Sequence, residues 1–305
     1  MCEACTNNYS NINNIIPFIK TDSIHPIHDW QDIYWKTETE QYDDYGNFEF
    51  QIKKMSPRSK VIKGPDVLFK LNNYGFRSSK FDKLSSSKKN ILFTGCSNTF
   101  GAALPEELRW SSIFSKKMDV NEYNVATYGA GIDLSIKNAM GFINLFGKPD
   151  AVIMLLPDMA RQTVYSDFAK TYIKASPLWS HLEDKNVDPA LKDFTIGYKH
   201  QNLWFYNTTL INMFEEFCNA SGIKLIWSTW SSADLNVYNR LKFKNLLNKN
   251  LNMVRWQEPK AGTYAQSYEN KKHYPYWEMA ADDAHPGSQW HQYVADTFLE
   301  AYNND

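Results

Sequence analysis

The chain has 305 residues, 43% hydrophobic and 22% charged, with a formal net charge of -1. That length suits one α/β unit of about two hundred residues plus an extension, and the interspersed charge excludes a basic footprint for nucleic acid or an anionic membrane surface. No run approaches the roughly eighteen apolar residues that span a bilayer, and the first eight residues, Met1 to Asn8, have neither the basic start nor the apolar middle of a signal peptide. A cytoplasmic location is therefore expected.

Residues up to about Arg58 show no sustained period, with Trp30, Tyr34 and Trp35 interleaved with charge. We expect residues 1–85 to form an N-terminal extension or small lobe and residues 86–305 the main domain. Val67, Leu68 and Phe69 make a strand-like run ahead of a turn over Asn72-Asn-Tyr-Gly-Phe-Arg77, and Lys80 to Lys89 reads as a solvated linker. The apolar run Ile91, Leu92, Phe93 predicts a strand buried on both faces, ending abruptly in Gly95-Cys-Ser-Asn-Thr-Phe-Gly101. Ser97 follows its carboxyl end, the edge of an open parallel sheet where ligands and catalytic groups collect. On this stretch alone a plain Gly/Ser turn fits as well as a nucleophile site.

Glu106 to Met118 is expected as a helix whose dipole points near Ser97, Tyr123 to Ala126 as the second strand, and Asp133 as the cap of a helix running to about Leu145. Ala151 to Leu156 supplies the third strand. Arg161 to Gln201 reads as an irregular insertion overhanging the active edge. A helix over Trp204–Ala220, a strand over Lys224–Thr229, a helix over Asp234–Leu251 and a closing helix over Ser288–Tyr302 complete the alternation of a doubly wound parallel sheet.

Chemistry gathers at Asp282-Asp-Ala-His-Pro-Gly287. A serine hydroxyl attacks poorly until an imidazole takes its proton, and a carboxylate must hold that imidazole. Here the chain resembles the SGNH or GDSL hydrolases. Gly95 to Gly101 matches their Gly-Asp-Ser-x-x-x-Gly block except that Cys96 replaces the Asp, and Asp282-x-x-His285-Pro286 matches their last block. The resemblance implies a three-layer α/β/α, flavodoxin-like fold, a triad of Ser97, His285 and Asp282, and an oxyanion hole built from the Ser97 and Gly129 amides.

Asn124 to Gly129 fits the family's second block, but Leu156-Pro157-Asp158 stands where a Gly-x-Asn should supply a third donor. An ionised Asp158 accepts hydrogen bonds and cannot donate. Either Asp158 is protonated, or Asn98 or Arg161 substitutes, or two amides act alone. The Asn72-x-x-Gly-Phe-Arg77 stretch is similar to SGNH members associated with acylated polysaccharides.

The expected activity is hydrolysis of an O-acyl, in particular O-acetyl, ester of a carbohydrate. The substrate is a small molecule or polysaccharide, with Asn98, Arg161 and Trp230 as candidate contacts and no metal or cofactor. Alternatives are acyl transfer on the same fold, or a noncatalytic carbohydrate-binding or structural module. Cys2 and Cys5 lack a second ligand pair at zinc-site spacing, Cys96 is expected to face the sheet, and His291 is expected to pack or cap.

Overall fold

The structure, a computed structural model, describes residues 41–42, 48–52, 67–166 (without 73, 83, 86 and 103), 171–176, 189–197, 200–249, 251, 280 and 285–304. Strands β1 (Gln41–Tyr42), β2 (Phe48–Ile52) and β3 (Val67–Leu71) form an antiparallel sheet. The first two arise in a stretch without an apolar period.

The main body then follows in chain order. After β4 (Asn90–Gly95) come the short helix α1 (Ser97–Phe100), a 3-10 turn over Glu106–Leu108 and helix α2 (Trp110–Met118). The single helix expected over Glu106–Met118 is thus divided at Arg109, whose backbone is extended. Strand β5 (Asn121–Asn124) lies two residues earlier than expected, followed by α3 (Ile132–Phe146) and β6 (Ala151–Leu156). Asp133 does not cap α3: Gly131 holds that position, and the Asp133 carboxylate instead accepts the Thr163 N–H at 2.7 Å.

The insertion expected to be irregular is ordered where it is described. It contains the hairpin β7 (Gln162–Ser166) and β8 (Thr171–Ala175), then α4 (Pro189–Gly197) and α5 (His200–Ser221). Strand β9 (Lys224–Thr229) leads into α6 (Ser232–Leu241), which stops ten residues short of the expected Leu251 because Lys242 adopts the left-handed conformation. Its start is capped by the Ser231 hydroxyl, which accepts the Asp234 N–H. The closing helix is α7 (Ser288–Asn304).

The central sheet is parallel, in the order β5-β4-β6-β9. Alternation along the strands divides the core in two. Leu92, Val152, Met154, Leu225 and Trp227 face α3 and α5, through Phe142, Ile211 and Phe214. Ile91, Phe93, Ile153, Leu155 and Ile226 face α2 and α7, through Trp110, Phe114, Val294 and Phe298. Helices on both faces of a parallel sheet make the three-layer, flavodoxin-like architecture that the motif resemblance implies. The chain reverses direction across the sheet between β4 and β6, so their carboxyl ends border the crevice where such folds bind ligands.

The stretch Lys80 to Lys89 is not simply a solvated linker. Phe81 is buried against Phe76, Tyr123 and Phe142, its ring 5.1 Å from that of Phe142 in an edge contact. The Asn72 side-chain carbonyl accepts the N–H groups of Tyr74 and Phe76, each at 3.0 Å, and so folds the turn that delivers Arg77 into the interior.

Candidate active site

Gly95 ends β4 with φ +152°, and a Cβ there would lie 2.4 Å from both the Leu155 carbonyl oxygen and Thr99 Oγ1. Only glycine fits this approach of α1 to the sheet. Cys96 then buries its side chain in the core, where Sγ accepts the Trp230 indole N–H at 3.4 Å. Ser97 opens α1, at the carboxyl edge of the sheet, and is 4% exposed. Its carbonyl accepts the N–H groups of Gly101 and Ala102, which closes the turn beneath it.

That turn is held from outside. The Arg77 guanidinium, fully buried, donates to the carbonyls of Phe100, Gly101 and Leu104. Burial, with the Arg109 charge beside it, lowers its pKa to about 9, which leaves it cationic at neutral pH. Arg109 in turn donates to the Arg77 carbonyl at 2.6 Å and to Glu122 at 2.7 Å. Asn124, at the end of β5, donates to the Thr99 carbonyl at 2.9 Å.

The loop after β5 is tied to the same edge by the Thr127 N–H, which donates to the Gly95 carbonyl at 3.3 Å. Gly129 has φ +70° and is buried. Among the described residues neither its N–H nor that of Ser97 has a hydrogen-bond acceptor. His285 reaches this loop from the other end of the chain: its ring centroid lies 5.2 Å from that of Tyr128, at an interplanar angle of 63°. Ser97, Gly129 and His285 therefore share the carboxyl edge. No hydrogen bond joins the Ser97 hydroxyl to His285, and catalytic hydrogen bonds are often longer before substrate binds. Asp282 lies outside the described residues, as do Cys2, Cys5, Trp179 and His181.

The third-block position is occupied by an ion pair. Asp158 Oδ2 lies 2.8 Å from Arg161 Nε, and the Arg161 guanidinium carbon sits 5.3 Å from the centre of the Trp230 ring. Trp230 is 8% exposed, with its N–H on Cys96 and Arg161 against its ring. It is part of the wall under the site more than an open platform for stacking. Asn98, beside Ser97, is buried.

Sequence reasoning missed one neighbour of the site, Lys174, whereas His291 is buried and caps a helix start as expected. Lys174 on β8 is 5% exposed and donates from Nζ to the Tyr128 carbonyl at 2.6 Å. His291 accepts the Trp110 N–H on Nδ1 at 3.2 Å. The positive end of α2 is thus capped by an imidazole. Burial lowers the His291 pKa to about 3, with smaller contributions from His285, Arg109 and Arg77, so the ring is neutral. Among the described residues no group of three His, Cys, Asp or Glu side chains could hold a metal ion, and no helix is long and apolar enough to cross a membrane.

No protein-family model matches the chain, and no curated protein does. Among solved structures it is similar to a member of the lipolytic G-D-S-L family from Veillonella parvula, 12% identical, with 71% of this chain and 100% of that one covered and a TM-score of 0.41. It is also similar to an acetyl xylan esterase from Butyrivibrio proteoclasticus, 13% identical, covering 74% of this chain and 66% of that one, TM-score 0.44. A family two carbohydrate esterase from Clostridium thermocellum, solved with cellohexaose, is 11% identical over 74% of this chain and 66% of that one, TM-score 0.37.

Proposed function

We propose that the protein is a serine ester hydrolase acting on O-acetyl groups of a carbohydrate. The observation that carries this reading is the contact of His285 with Tyr128, which brings an imidazole from near the carboxyl terminus to the strand edge where Ser97 and the unpartnered Gly129 amide lie.

In the first step the Ser97 oxygen bonds to the ester carbonyl carbon while the serine proton passes to His285. The carbonyl oxygen becomes an oxyanion facing the Ser97 and Gly129 N–H groups. Collapse breaks the bond to the alcohol oxygen, and the alcohol leaves with the proton from His285. Water then attacks the acyl-serine, giving its proton to His285, and acetic acid departs as Ser97 is reprotonated. Asp282 is assigned the part of holding the imidazole and balancing its charge.

The sugar assignment is supported by the Asn72-x-x-Gly-Phe-Arg77 resemblance. Ser97→Ala is expected to abolish hydrolysis of a small chromogenic acetate ester and labelling by a fluorophosphonate. Retained turnover in that variant overturns the assignment. Measuring free acetate against acetylated sugar from a common donor separates hydrolysis from transfer.

A further inference from the structure

We propose that Lys174 is a positioning residue of the oxyanion hole, holding and polarising the peptide unit between Tyr128 and Gly129 so that the Gly129 N–H meets the developing charge as a strengthened donor. The inference rests on the reading of Ser97 as nucleophile and of the Gly129 amide as oxyanion donor.

A lysine ammonium is rarely buried, because removing it from water is costly unless hydrogen bonds replace the lost solvation. Lys174 is 5% exposed and spends one of its donors, at 2.6 Å, on the carbonyl oxygen of Tyr128. That oxygen belongs to the same planar peptide unit as the Gly129 N–H, and in a trans unit the two point in opposite directions. Fixing the oxygen therefore fixes the direction of the N–H. Among the described residues that N–H has no acceptor although Gly129 is buried, an uncommon state for a backbone donor. The glycine φ of +70° sets the turn that leaves it so.

The hydrogen bond also acts electronically. A cation on the carbonyl oxygen draws charge from the amide nitrogen, and hydrogen bonds in series strengthen one another by about 10–30% each in a low-dielectric site. Such help is needed here. The family's third donor is replaced by Asp158, whose carboxylate is paired with Arg161, and the loss of one oxyanion donor costs about a hundred- to a thousandfold in rate. Lys174 reinforces one of the two amides that remain.

The test uses the full chain with Lys174→Met, Lys174→Gln and Lys174→Arg, assayed on a chromogenic acetate ester and with an alkyl boronic acid, whose serine adduct carries the tetrahedral negative charge. Thermal melting selects the variants that fold. Lys174→Met is expected to lower kcat by roughly tenfold to a hundredfold with KM within about twofold, and to weaken boronic acid inhibition by the same factor. Lys174→Gln, a neutral donor, should fall between Met and wild type, and Lys174→Arg should restore most of kcat. A folded Met or Gln variant with wild-type kcat, or a loss confined to KM, overturns the role of Lys174 while Ser97-dependent turnover leaves the esterase reading standing. Wild-type protein without Ser97-dependent turnover overturns that reading, and the Lys174 role with it.

Discussion

The His285 ring meets Tyr128 edge-on, with 5.2 Å between centroids, so the last block of the chain is joined to the second by two aromatic side chains. An edge contact of this kind contributes about 0.5–1.5 kcal/mol, and it also limits where the imidazole sits. Replacing Tyr128 by Leu is expected to lower kcat/KM on a chromogenic acetate by about tenfold, since about 1.4 kcal/mol of lost positioning is a factor of ten. Steady-state kinetics on the folded variant checks this, and an unchanged value would remove Tyr128 from the positioning of His285.

Gly95 leaves no space for a side chain. A Cβ would press on the Leu155 carbonyl oxygen, which belongs to β6 and cannot yield as a flexible side chain would. The positive φ adds strain of its own. Gly95→Ala is expected to lose about 2–3 kcal/mol of stability in urea unfolding, together with most activity, because relief requires α1 to move away from the sheet.

Arg77 clasps three carbonyls of the turn that follows Ser97. Removing a charged donor from buried acceptors costs about 1.5–3 kcal/mol for a hydrogen bond of this kind. Arg77→Met should therefore destabilise the protein by about 3 kcal/mol and slow fluorophosphonate labelling of Ser97. Arg77→Lys should rescue little of either, because a single ammonium lacks the planar fork that spans separate oxygens. Denaturant titration and labelling rates measure the two effects separately.

His291 gives the fold a pH dependence with a definite sign. Its imidazole stays neutral in the native state down to about pH 3, whereas in the unfolded chain it takes up a proton below about 6.5. Between these values the unfolded state binds more protons, so the stability present above pH 6.5 is lost as pH falls towards 3. His291→Asn should remove up to about 1.4 kcal/mol per pH unit from the slope of unfolding free energy across that window. Urea unfolding at several pH values reads the slope whatever the variant's absolute stability.

Strands β4, β6 and β9 were legible in the sequence because burial on both faces writes a continuous apolar run, as in Ala151-Val-Ile-Met-Leu-Leu156. Helix α5 was legible through an apolar stripe, and α3 through the Gly147-Lys-Pro stretch that ends it. The hairpin β7–β8 was not, since Gln-Thr-Val-Tyr-Ser and Thr-Tyr-Ile-Lys-Ala mix polar and apolar residues in strands too short to show a period. Ser97, Gly129 and His285 were singled out because the order and spacing of the motifs mark them. Lys174 was not, because it matters through a partner that only folding brings near, the Tyr128 carbonyl 46 residues away, while the expected packing or capping by His291 is met on the Trp110 amide, 181 residues away. Asp133 was assigned a local cap, but a long-range acceptor role for Thr163 prevailed.

The buried Phe76, Arg77 and Phe81 carry a practical meaning for anyone shortening this protein. A recombinant fragment started at the first central strand would omit two rings of the core and the guanidinium that grips the serine turn. Such a fragment would expose raw apolar surface and collect in inclusion bodies, so a minimal soluble version has to begin before Asn72.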